Sequence, residues 1–108
     1  MLNDPTQVEA ARALAERVLR QNTNGLKDRF NTLGQQVLSR AFNNQEQILL
    51  AKLLREHIED FEAKPAEADK LISTGIAPVP GDIPPVELAA WTSVARAVLN
   101  LHETITRN

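Results

Sequence analysis

Few side chains in this 108-residue chain are equipped for chemistry, and their spacing is unpromising. The two histidines are His57 and His102, and cysteine is absent. Without cysteine the chain has no disulfide, no thiolate nucleophile, no thiolate metal site and no covalent haem attachment of its own. A metal site would have to join both distant histidines with carboxylates, since no His-x-x-x-His pair shares one helical turn. His57 instead reads as a partly buried structural group on the edge of an apolar helical stripe. His102 falls near the end of the last helix, where unpaired carbonyls favour a cation. The acids Glu56, Glu59, Asp60 and Glu62 could do acid–base work only if burial set them apart. Lys52 and Arg55 interleave with them, which is the pattern of a solvated, salt-bridged helix face. No Ser/His/Asp order, Gly-rich phosphate loop or dinucleotide fingerprint is present. The expectation is no catalysis by this chain alone, with no cofactor and no metal.

The totals narrow the partners. A formal net charge of -2 argues against nucleic acid, whose phosphates demand clustered positive charge. A helix-turn-helix reader could be imagined around residues 26–63. Its recognition helix would open with Gln45-Glu46-Gln47 and meet no basic residue before Lys52, too little for phosphate positioning. The hydrophobic fraction of 43% is that of an ordinary globular protein. Charges interrupt every apolar run well short of the roughly 18 residues that a membrane span needs. Met1-Leu2 leads straight into Asn3-Asp4-Pro5, a helix start, with no signal-peptide pattern. One domain over 1–108 is expected.

The elements follow from periodicity and punctuation. A first helix runs from about Pro5 to Gln21, with Asp4 as N-cap, Pro5 at the first helical position and Gln7 completing a capping-box-like pattern. Val8, Ala11, Leu14, Ala15, Val18 and Leu19 form its apolar stripe. Glu9, Arg12, Glu16 and Arg20 belong to its wet side, Glu16 and Arg20 being spaced for an ion pair. Asn22-Thr23-Asn24-Gly25 stops it. A second helix covers about Leu26 to Arg40, with Leu26, Phe30, Leu33 and Val37 on one face. Gly34 lies inside it, read as a site of close backbone approach, with simple tolerance as the alternative. Asn43 and Glu46 form a capping box for a third helix reaching Ala63. This helix should bury Ile48, Leu50, Ala51, Leu54, Ile58 and Phe61, with Leu49 and Leu53 widening the stripe. Pro65 opens a short fourth helix that ends near Ser73, with Gly75 as its stop. Ile76 to Pro85, four prolines in ten residues, reads as an ordered strap across the bundle, a flexible linker being the alternative.

The last helix, Val86 to Ile105, holds the one tryptophan and is apolar on nearly every side. One face runs Leu88, Trp91, Ala95, Val98, Leu99 and His102, the other Ala90, Val94, Ala97, Leu101 and Ile105. Such a helix belongs inside a bundle. The fold class is therefore all-α: four long helices, one short helix and a Pro-rich strap before the last. The core should contain Leu14, Val18, Phe30, Leu33, Val37, Leu54, Ile58, Phe61, Trp91, Ala95 and Val98. Ala89, Ser93 and Ala97 make a stripe of small side chains that could admit another helix. Internal packing is the simpler explanation of the stripe. An apolar patch bordered by the first and last helices is expected, or weak homodimerisation through it.

Two motifs also carry a resemblance. They are Leu2-Asn3-Asp4-Pro5 with Glu9 to Arg17 at one end, and Glu87 to Arg96 with Leu99-Asn100-Leu101 at the other. Together they resemble the C-terminal part of the planctomycete-type, cytochrome-c-associated domain of unknown function fifteen-fifty-three. Leu38-Ser39-Arg40 and Pro65-Ala66-Glu67-Ala68 before Gly75 fit between them. Relatives usually close with Asn-Leu-Asp-Glu, where this chain has Asn100-Leu101-His102-Glu103, and cap the third helix with Pro-Thr or Pro-Ser where Asn43 stands. The resemblance implies large exported bacterial proteins in which this region follows other domains, and Met1 would then cut into a longer domain. No reaction is established for that family, so no catalytic residue transfers. The resulting expectation is a non-catalytic module docked against upstream domains. The alternative is one wall of an enzyme or electron-transfer site that those domains complete.

Overall fold

The computed structural model describes residues 5–21, 24–75 and 78–106. Among these there are five helices and no strand: α1 (Pro5–Gln21), α2 (Leu26–Leu38), α3 (Asn44–Ala63), α4 (Pro65–Ile72) and α5 (Pro85–Thr106). The all-α bundle and its helix order agree with the periodicity. The Asp4 cap, the Asn22-Thr23 stop and Ile76 lie outside the described residues.

Helix α5 is the hub, because the other four helices all pack on it. From Leu88 to Thr92 every residue is buried, as are Val94, Ala95 and Val98. Phe30 of α2 meets the Trp91 ring at 5.3 Å between centroids, tilted by 47°, within the separation that favours aromatic pairs. The Arg29 guanidinium lies 6.0 Å from the same ring and 3.2 Å from the Glu87 carboxylate. Thr92 satisfies its buried hydroxyl by donating to the Leu88 carbonyl at 2.7 Å. Of the eleven expected core residues, Val37, Ile58 and Phe61 are only partly buried and the rest are fully so.

The turn between α2 and α3 is built by packing. Helix α2 stops at Leu38, two residues early, because Ser39 takes the left-handed conformation at φ 59°. The chain then doubles back so closely that a methyl group on Gly34 would lie 2.5 Å from the Arg40 carbonyl and 3.2 Å from the Phe42 ring. Gly34 is thus a site of close approach, and it lets Phe42 reach the core. The capping box closes as expected: Glu46 N–H donates to Asn43 Oδ1, and Asn43 N–H to Glu46 Oε1, both at 2.8 Å. Arg40 adds a two-pronged ion pair to Glu46 at 2.9 and 3.0 Å. That pair, then the Asn43 amide, holds the Glu46 carboxyl down at about 2.

Three expectations about surfaces are corrected. Arg12 is not on a wet face: it is 2% exposed, and its Nη1 donates to the Ile72 carbonyl at 2.5 Å. The end of α4 and the residues after it meet α1, and the last carbonyls of α4 need a donor there. Gly75, at φ 100°, passes so near α1 that a methyl group there would push the Glu9 side chain aside. Arg20 pairs with Asp82 through two contacts at 2.6 and 3.0 Å, tying the strap to α1 rather than answering Glu16. Ile83 of the strap packs on the core, while Val79 is exposed. Helix α3 buries only Leu54 fully, and Ile48 and Leu49 are 69% and 67% exposed. Leu26, on the same face of α2 as Phe30, is 41% exposed.

These burials rank the substitutions. Trp91→Ala should lower stability by about 3–5 kcal/mol. Arg12→Met keeps the length of the side chain but orphans the Ile72 carbonyl, at a cost of about 1–3 kcal/mol. A solvated Arg12 would cost less than about 0.5 kcal/mol. Urea unfolding midpoints of the two variants check both values, and an unchanged midpoint for Arg12→Met would refute the buried contact.

Candidate functional site

The small-residue stripe of α5 does not form one surface. Ala89 is fully buried, Ser93 half-buried and Ala97 exposed. Helix α4 and the core cover the first turn of the stripe, and cover thins out towards the end of α5. Ser93 and Ala97 therefore open onto two different depressions.

Ala97 opens onto an apolar groove of about 150 Å³ between the start of α3 and the end of α5. Phe42, Leu50 and Val98 line it, flanked by Leu49 and by Leu101, which is 48% exposed. Glu46 is its one charged neighbour, and that carboxylate is already engaged by Arg40 and Asn43. This apolar groove thus lies between α3 and α5. A wide stripe on α3 signals contact with two neighbours only if neighbours exist at both ends. Here Ile48 and Leu49 are left exposed while Leu50 and Ala51 beside them pack on the core.

Ser93 opens onto a polar cleft of about 370 Å³ where α3, α4 and α5 converge, with Val8 of α1 at its edge. Helix α3 contributes His57 and Phe61, whose rings stack at 6.2 Å and 22°. From α4 come Glu67, Lys70, Leu71 and the following Thr74, and from α5 Ser93 and Arg96. Burial pushes the His57 imidazole below its ordinary value; Asp60 and Glu56 pull it back up, and Arg96 pushes it further down. Sequence reading recognised His57 as half-buried but gave no hint of Lys70 or Arg96 beside it. Those residues are 13 and 39 positions further along the chain, and only helix packing joins them.

The remaining candidates stay dispersed. Glu56, Glu59, Asp60 and Glu62 are all exposed, on a solvated face. Partly buried His102 lies near the end of α5 and lines neither depression. Gln7 donates to the Asn100 side chain at 2.9 Å, joining α1 to α5. Among the described residues no three His, Asp or Glu side chains gather into a metal-binding group, and no described helix is long and apolar enough to cross a membrane.

The state of His57 sets a pH dependence. Because its folded value is lowered, the unfolded chain binds the proton first. The stability contribution of neutral His57 is complete above the unfolded value of about 6.5 and is lost as pH falls from there through the folded value. Imidazole NMR titration should give a His57 midpoint below that of a model peptide, and His57→Gln should remove that part of the stability profile. A raised midpoint would mean that Asp60 and Glu56 outweigh burial. No family model, no curated protein and no solved structure matches this chain.

Proposed function

We propose that this chain is a non-catalytic helical module of a larger exported bacterial protein, related to the domain of unknown function that its two ends resemble. Its work is to dock against the upstream domains of the same polypeptide. The observation that carries this reading is the exposure of Leu49 and Leu101 on either side of an apolar groove. Contiguous apolar surface of this kind on a small domain marks an interface. The groove suits one branched or aromatic side chain projecting from a partner helix. A charged peptide would gain little there, since Glu46 is already neutralised by Arg40.

Because Leu49 and Leu101 touch water, charging them should leave the fold intact. Mixing the chain with the polypeptide encoded upstream should perturb amide signals around Leu49, Ala97 and Leu101. Leu49→Glu should weaken that association at least about tenfold, the loss expected when a charge meets an apolar pocket. Self-association that Leu49→Glu abolishes, with no response to the upstream segment, would assign the face to a second copy. Binding that leaves the α3–α5 groove unperturbed would overturn the proposal.

A further inference from the structure

We infer that Asn24 is a site of self-modification, where the Asn24-Gly25 link passes through a cyclic imide to aspartyl and isoaspartyl products. Both residues are exposed and lie outside the helices, between the end of α1 and the start of α2. Gly25 has φ 136°, and a methyl group placed on it would meet nothing within 4 Å. With no Cβ of its own and open space around it, its nitrogen can meet the neighbouring carboxamide. The Gly25 carbonyl accepts from the Arg29 N–H at 3.2 Å. Among the described residues, nothing accepts from the Gly25 N–H or bonds the Asn24 side chain. The other described asparagines are held in place. Asn31 and Asn100 lie inside helices, where the backbone cannot swing to close a ring, and the Asn100 side chain accepts from Gln7. Asn43 caps α3 with its Oδ1 on the Glu46 N–H, and Asn44 opens that helix. None of these is followed by glycine.

The reaction consumes only water, and nothing is oxidised or reduced. Hydroxide removes the Gly25 amide proton, and the nitrogen attacks Asn24 Cγ. The new N–C bond closes a five-membered ring as the Cγ–Nδ2 bond breaks, and ammonia leaves with a proton from water. Water then opens the imide at Cγ to give aspartate, or at the main-chain carbonyl of residue 24 to give isoaspartate. Either product adds one negative charge to a chain of formal net charge -2. That charge falls one residue before the cap of α2, a helix whose cap makes no side-chain hydrogen bond. The unpaired N–H groups of its first turn favour an anion there, so the folded chain tolerates the product.

The test is warm incubation of the full chain at neutral and mildly alkaline pH, read by peptide mapping, mass and labelling with an isoaspartyl methyltransferase. Asn24 should convert in the folded chain within about threefold of its rate in urea, because the fold does not restrain it. Asn31, Asn43 and Asn100 should convert at least about tenfold more slowly than Asn24 while the chain is folded. The rate should climb with pH, since the attacking species is the deprotonated amide. Gly25→Ala sets a methyl group beside the attacking nitrogen and should slow conversion at least about tenfold. Asn24→Gln leaves Gly25 untouched but requires a six-membered ring, and should slow it as much. A folded chain that stays intact while the unfolded chain converts would show that the fold protects the link, and would overturn the inference. So would conversion mapped to another asparagine, or conversion that survives Asn24→Gln.

Discussion

Enclosure of α5 is the constraint on which the other helices depend. Between Leu88 and Val98 it offers apolar side chains around most of its circumference, and no two-helix contact can cover them all. Four helices are needed to keep water off this stretch, and all four pack on it. At roughly 25 cal/mol per Å² of apolar surface, enclosing a helix is worth more than any polar contact in the chain. Trp91 is the largest single part of that surface, and its ring also fixes α2 through Phe30.

Polar contacts then choose among the ways of arranging the outer helices. The pairs of Arg20 with Asp82 and of Arg40 with Glu46 are largely solvated, so they set the register of the strap and the α2–α3 turn more than they add stability. Arg12 is different in kind. It is buried, and its guanidinium donates to a carbonyl at the end of α4 while its Nε faces Glu16 at 3.6 Å. A buried charge without such partners would be costly, so the end of α4 meets α1 where that donor reaches its carbonyl. Gly75 allows the close passage that follows.

Helix α5 also links the core to the two surface depressions. Its buried half organises the core, and its second half borders both depressions, Ser93 and Arg96 at the polar cleft, Ala97 and Leu101 at the apolar groove. A five-helix bundle cannot close over every turn of its central helix when α4 has only eight residues. The turns left uncovered are the ones available to other molecules.

Much of the fold was legible in the residues. Pro5, Gly25, the Asn43/Glu46 box, Pro65 and Gly75 punctuate the helices through local backbone chemistry, which needs no tertiary contact, and the apolar periods of α1, α2 and α5 name most of the core. Periodicity reports that a face is apolar without saying whether a neighbour covers it, so Ile48, Leu49 and Leu101 read as parts of apolar faces and stand exposed. Polarity likewise hides its own exceptions: Arg12 looks solvated until the end of α4 reaches it. The Arg20–Asp82 tie and the meeting of His57, Lys70 and Arg96 join residues far apart in the chain, and no local rule links them. By itself, then, the sequence determined the helices, their ends and the centrality of Trp91, because those follow from short-range backbone and side-chain preferences. Which faces are covered, and which charged groups share a cleft, only the tertiary structure decided, because both depend on how rigid helices cross.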